Sequence, residues 1–146
     1  MGRCLIVANQ TLGGPDLDRV IRERIEAGQS AFHVVVPTTD PRYETDAWLW
    51  GYVPGTHLGK AHQRARHRLE AILSDIAELG GDVSGQVGDS DPVRAVREVL
   101  DSGVELDEVL VSTLPSRLSR WLKLDVPSRV SKLVDVPVRT IEAADV

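Results

Sequence analysis

Ser112 and Thr113 follow the apolar run Val109-Leu110-Val111 and open a polar turn, Ser112-Thr113-Leu114-Pro115-Ser116. In an open α/β sheet, the loop directly after a buried strand is where ligands bind. Asn9 holds the same position after the run Arg3–Ala8, and Gly88-Asp89 after Asp82–Val87. Together these turns offer hydroxyls, an amide and backbone N–H groups at helix starts. Such groups suit a neutral or anionic small ligand. Arg117 and Arg120 flank the Ser112 loop, either as guanidiniums that hold an anion or as solvated helix residues. Ser112 has no identifiable base, and no triad, paired-carboxylate signature or P-loop lysine motif is present. His57 and His62 lack an HExxH or paired-cysteine context, so no metal site is expected. The residues therefore read as a binding site, and the chain as a non-enzyme.

Turns of this kind need strands and helices to hold them. Arg3–Ala8 (RCLIVA) and Ala31–Val36 (AFHVVV) are unbroken apolar runs, the mark of strands buried on both faces of a parallel sheet. His33 lies inside the second run, where a histidine is more often a core or edge residue than a ligand. Leu17, Val20, Ile21 and Ile25 recur at helical spacing between Pro15 and Gly28. Ala61, Ala65, Leu69, Ile72, Ile76 and Leu79 form the stripe of a long helix over 60–79. A weaker third strand is expected at Asp82–Val87. A helix capped by Ser90 or Asp91 with Pro92 in its first turn follows, then a fourth strand at Glu108–Val111. A last helix within Pro127–Val134 and a fifth strand at Pro137–Ile141 complete the chain. Strict alternation of strand and helix implies a parallel sheet with helices on both faces.

Two stretches stand apart. Residues 37–59 carry Pro37, Pro41, Pro54, Gly51, Gly55 and Gly59, so long regular structure is not expected there. Trp48, Trp50 and Tyr52 alternate within it as they would on an extended segment. They fit a lid that stacks on a planar ligand, or packing against the domain or a second subunit. Lys60, His62, Arg64, Arg66, His67 and Arg68 crowd the start of the long helix, against its macrodipole. They read as a solvated face balanced by Glu70, Asp75 and Glu78, or as a docking site for an acidic partner or ligand.

The 146 residues fit one domain over 1–146. With 42% apolar and 27% charged residues the composition is that of a globular protein. A net charge of −5 argues against general nucleic-acid binding, and no apolar run is long enough to cross a membrane. Cys4 is the one cysteine, so no internal disulfide forms, and its strand position reads as core. The N-terminus shows no signal-peptide pattern, and a cytoplasmic setting is expected.

Nearly all of residues 3–141 resembles the universal stress protein family. The resemblance rests on LIVANQ after the first strand, HVVVP ending the second, VGDSDPVRAV after the third and VLVSTLPSRLSRWLKLDVPSRVSKLVDVPV at the end. It implies a single-domain α/β three-layer sandwich, Rossmann-like and similar to the adenine nucleotide alpha hydrolases, with a five-stranded parallel sheet in the order 3-2-1-4-5. It also implies ATP or AMP as ligand. The ligand crevice expected from the strand ends and the loop after the fourth strand comprises Asn9, Val36, Gly88, Ser112, Thr113, Ser116, Arg117 and Arg120. A homodimer through the last strand, at Val136, Val138 and Ile141, would protect an otherwise open edge.

The chain departs from that family where the ligand would sit. Nucleotide-binding members carry G-x2-G-x9-G-[ST] after the fourth strand. Those glycines fall here on Ser112, Pro115 and Asp125, or on Leu124 when aligned from the right. Glycine lets backbone approach phosphates closely, and Pro115 also removes a donor. The family's acidic residue after the first strand is Asn9, whereas Gly88 matches a family glycine. A ligand-free interaction module of the stress response is thus the alternative to a small-ligand binder. A small hydrolase or transferase using a modified crevice is the third reading.

Overall fold

The computed structural model describes residues 2–8, 15–38, 56–113, 121 and 124–142. Five strands form one parallel sheet: β1 (Arg3–Ala8), β2 (Ala31–Pro37), β3 (Asp82–Gly88), β4 (Leu106–Thr113) and β5 (Val138–Glu142). Their order across the sheet is β3-β2-β1-β4-β5. The apolar runs dictate this arrangement. Leu5, Ile6 and Val7 of β1 and Val109, Leu110 and Val111 of β4 are wholly buried, so both strands need cover on both faces.

Among the described residues four helices provide it: α1 (Pro15–Glu26), α2 (Thr56–Glu78), α3 (Pro92–Asp101) and α4 (Val126–Ser131). Side chains alternate along each strand, and two cores result. On one face Ile6, Phe32, Val34 and Leu110 pack against Leu17, Val20 and Ile21 of α1 and Ala65, Leu69, Ile72 and Ile76 of α2. On the other, Leu5, Val7, Val35, Val109 and Val111 pack against Ala95, Val96 and Val99 of α3 and Val126 and Val130 of α4. The two helices that follow leftward steps in the sheet cover one face, and the two that follow rightward steps cover the other. A right-handed crossover requires this division.

Element bounds differ from the sequence reading at functionally relevant places. The polar turn was expected from Ser112 onward. Instead Ser112 and Thr113 are still strand: Ser112 pairs with Ala8 and Ile141, and Thr113 with Glu142. Two flanking strands give these residues ladder partners, which outweighs the turn preference of their hydroxyls. Pro37 closes β2 instead of opening the insert. The long helix begins at Thr56, four residues before Lys60, and runs through Gly59. A single glycine costs a helix only about 1 kcal/mol, which flanking turns of helix tolerate. Trp48, Trp50 and Tyr52 lie outside the described residues.

The end of the sheet opposite the strand C-termini is tied by charge. Arg24 of α1 reaches Glu108 of β4 with both Nε and Nη2, at 2.6 and 2.7 Å. Arg3 of β1 crosses β2 to donate to the Phe32 carbonyl at 3.0 Å and pairs with Asp82 at 3.2 Å. Cys4 is fully buried beside Glu108. Burial first, and the neighbouring carboxylate second, push its thiol up to about 12, so it is the inert core cysteine expected from the sequence.

Candidate functional site

The winding of the sheet reverses between β1 and β4, the two strands whose loops lead to opposite edges. Ala8 and Ser112 are register partners at the C-terminal ends of this pair. A crevice at such a reversal is the expected ligand site of a doubly wound sheet. On the β2 side, Pro37 pairs with Gly88 and brings the Val36 and Gly88 ends together. The strand ends named from the sequence do converge along one rim.

What those residues can offer differs from the expectation. Ser112 and Thr113 are adjacent strand residues, so their side chains point to opposite faces of the sheet. Ser112 lies on the α1–α2 face with Leu110, and Thr113 on the α3–α4 face with Val111. Both are buried, at 4% and 0% exposure, and each is already engaged in an interaction. The Val36 side chain belongs to the α1–α2 core. At this position only its backbone is available to a ligand. Asn9, Ser116, Arg117 and Arg120 lie outside the described residues.

Gly88 has a packing reason for being glycine. A Cβ there would stand 2.7 Å from the Ala95 Cβ of α3 and 3.0 Å from Val35. The helix thus sits directly on the strand end. The Gly88 carbonyl accepts from the Thr38 N–H at 3.1 Å and from the Thr38 hydroxyl at 3.3 Å. Thr38 was not singled out in the sequence, because a lone threonine after Val-Pro carries no motif signal.

The loop after Gly88 is satisfied internally. Asp91 caps α3, its Oδ1 accepting from the Val93 N–H at 3.0 Å, as the Asp-Pro pair predicted. Asp89 accepts from the Asp91 N–H, and its own N–H donates to Glu98, each at 2.9 Å. This wiring leaves the loop rigid and acidic at the rim.

Asp125 carries the most informative backbone. It has φ 55° and ψ 41°, the left-handed region, and is the one non-glycine described residue there. Asp125 is also where the third family glycine falls when the motif is aligned from Ser112. The backbone at this position thus adopts a conformation suited to glycine, although the residue is an aspartate. Its side chain does not cap α4, which begins at Val126. Trp121, four residues earlier, is buried in the α3–α4 core, while Leu124 is 53% exposed.

No protein-family model matches the chain, and no curated protein matches it by sequence. Solved structures do. The hypothetical protein MJ0577 superposes with a TM-score of 0.64 at 12% identity, over 100% of this chain and 99% of that one. A universal stress protein from Archaeoglobus fulgidus in complex with dAMP gives a TM-score of 0.51 at 17% identity, over 97% and 99%. A universal stress protein in complex with cAMP gives 0.50 at 15% identity, over 97% and 98%. The fold is that of the universal stress proteins. At these identities the likeness is one of fold, and it spans the whole length of both partners. The expected sheet order of the universal stress protein fold, 3-2-1-4-5, is the observed one.

Among the described residues no group of three or more His, Cys, Asp or Glu side chains is placed to hold a metal ion. No helix there is long and apolar enough to cross a membrane.

Proposed function

We propose that this chain is a divergent universal stress protein-like domain whose crevice binds an adenine nucleotide without catalysing a reaction on it. The observation that carries the reading is the whole-length match to that fold, with dAMP and cAMP bound in two of the similar structures. The reversal point between Ala8 and Ser112 is where the ligand would enter. Buried hydroxyls and core valines leave recognition mainly to backbone groups and to the loops after β1 and β4. The lost glycines and the Asp125 carboxylate weigh against a bulky triphosphate, so AMP or cyclic AMP fits better than ATP. The cytoplasmic setting expected from the sequence belongs to this reading.

Native mass spectrometry, followed by thermal shift with ATP, AMP and cyclic AMP, tests it. A ligand at about a hundred times its Kd stabilises by about 2.7 kcal/mol. For a domain of this size that is roughly 5–10 °C in Tm. The expected result is such a shift with AMP or cyclic AMP. No adduct and no shift with any of the three would sink the nucleotide reading.

A second reading has its own support. β5 lies at the edge of the sheet, with no strand on its outer side among the described residues, and Arg139 and Thr140 are exposed on it. An open edge favours pairing with another chain. A ligand-free homodimer joined through the last strand, at Val136, Val138 and Ile141, would appear as a dimer mass with no adduct.

A further inference from the structure

On the α3–α4 face of the sheet, well below the rim, three polar side chains meet where β2 abuts the edge strand β3. His33 is 7% exposed. Its Nδ1 lies 2.7 Å from the Ser84 hydroxyl, and its Nε2 lies 3.0 Å from Oε1 of Gln86. The Gln86 oxygen can only accept, so it fixes the proton on Nε2. Nδ1 is then the free base, and the Ser84 O–H donates to it. A nucleophile, a base and a group that orients the base therefore stand in one hydrogen-bonded row. The strand register enforces this: His33 and Ser84 are cross-strand partners, and Gln86 is the next β3 residue on the same face.

Two further features suit acyl chemistry. Ser84 and Gln86 are only half-buried, on a strand at the end of the described strand order. The Asp82 N–H donates to the Ser30 carbonyl on the β2 side. Alternation then turns the N–H groups of Ser84 and Gln86 toward β2, and those of Val83 and Gly85 away from it, to the side where no strand pairs among the described residues. The N–H of the residue following a nucleophilic serine is a common oxyanion donor. Gly85 is also held firmly: on its other face a Cβ would meet Leu69 at 2.6 Å and Leu73 at 3.0 Å.

We propose that Ser84, His33 and Gln86 form an acyl-transfer site for small esters, separate from the nucleotide crevice. Ser84 Oγ attacks the ester carbonyl carbon while its proton passes to His33 Nδ1. The carbon–oxygen bond to the alcohol breaks, and the departing alkoxide takes that proton. Water then attacks the acyl-serine, again giving a proton to Nδ1. Collapse of the intermediate returns that proton to Ser84 and frees the acid.

The test is labelling of the whole protein with a fluorophosphonate, which phosphonylates an activated serine and releases fluoride. Intact mass and peptide mapping read the adduct, and p-nitrophenyl acetate hydrolysis reads turnover. The expected result is one adduct on Ser84, absent in Ser84→Ala, with labelling and hydrolysis slowed about 100-fold or more in His33→Gln. Should His33→Gln fail to fold, Gln86→Met, which removes only the acceptor at Nε2, is expected to slow labelling of Ser84 about 10-fold. No adduct, an adduct that persists in Ser84→Ala, or labelling unchanged in both His33→Gln and Gln86→Met would overturn the proposal and leave the three residues as a satisfied polar contact between strands.

Discussion

Gly88 of β3 and Ala95 of α3 approach so closely that the glycine has no room for a side chain, a Cβ meeting that of Ala95 at 2.7 Å. The obstacle sits on helix backbone and cannot rotate away. Gly88→Ala should therefore cost about 1–3 kcal/mol through overpacking. Urea denaturation checks the loss. Any change in ligand affinity should follow from displacement of α3, so a variant that also carries Ala95→Gly should recover most of the stability.

Arg24 and Glu108 form a two-pronged pair whose side chains keep only 25% and 19% of their exposure. Its hydrogen bonds to the Glu108 carboxylate hold the Arg24 guanidinium charged beyond its ordinary range. Removing one partner strands the other in a largely dry place, so Glu108→Ala should cost about 1–3 kcal/mol. Arg24→Lys keeps the charge but loses the fork and should cost less. Denaturant midpoints of the two variants give the comparison. Equal losses would mean that the paired geometry contributes nothing.

Asp125 sits in left-handed backbone with no cap bond to offset it. Asp125→Gly should gain up to about 1 kcal/mol, part of the relief being returned to the more flexible unfolded chain. Asp125→Val should lose about 1 kcal/mol or more. Thermal melts of the pair test this. If the crevice accepts phosphates, the glycine variant should also show the larger ATP-induced shift.

The architecture was legible because its signals are long and redundant. The RCLIVA and AFHVVV runs, the α2 stripe and the Asp91-Pro92 helix start each state their structure locally. The site was legible only as a place. Period-two alternation sends Ser112 and Thr113 to opposite faces, and no residue type announces that both remain in the ladder. Gly88 was read as a ligand residue because a glycine after a strand fits a phosphate cradle and a close helix equally well. Only the position of Ala95 decides between them. The Ser84–His33 contact joins residues 51 apart, which no local pattern could place together.

The position of β1 in the sheet governs how the chain is made. The Gly2 N–H binds the Asp107 carboxylate across 105 residues, and the whole β1–β4 pairing spans similar separations. On a ribosome adding about 5–20 residues each second, β1 waits roughly 5–20 s for β4 to be synthesised. During that interval the most apolar strand of the protein has β2 on one side and nothing on the other. The central strand is the first made and among the last enclosed. Chaperone dependence and aggregation of nascent chains should therefore concentrate in the RCLIVA segment, whatever the stability of the finished domain.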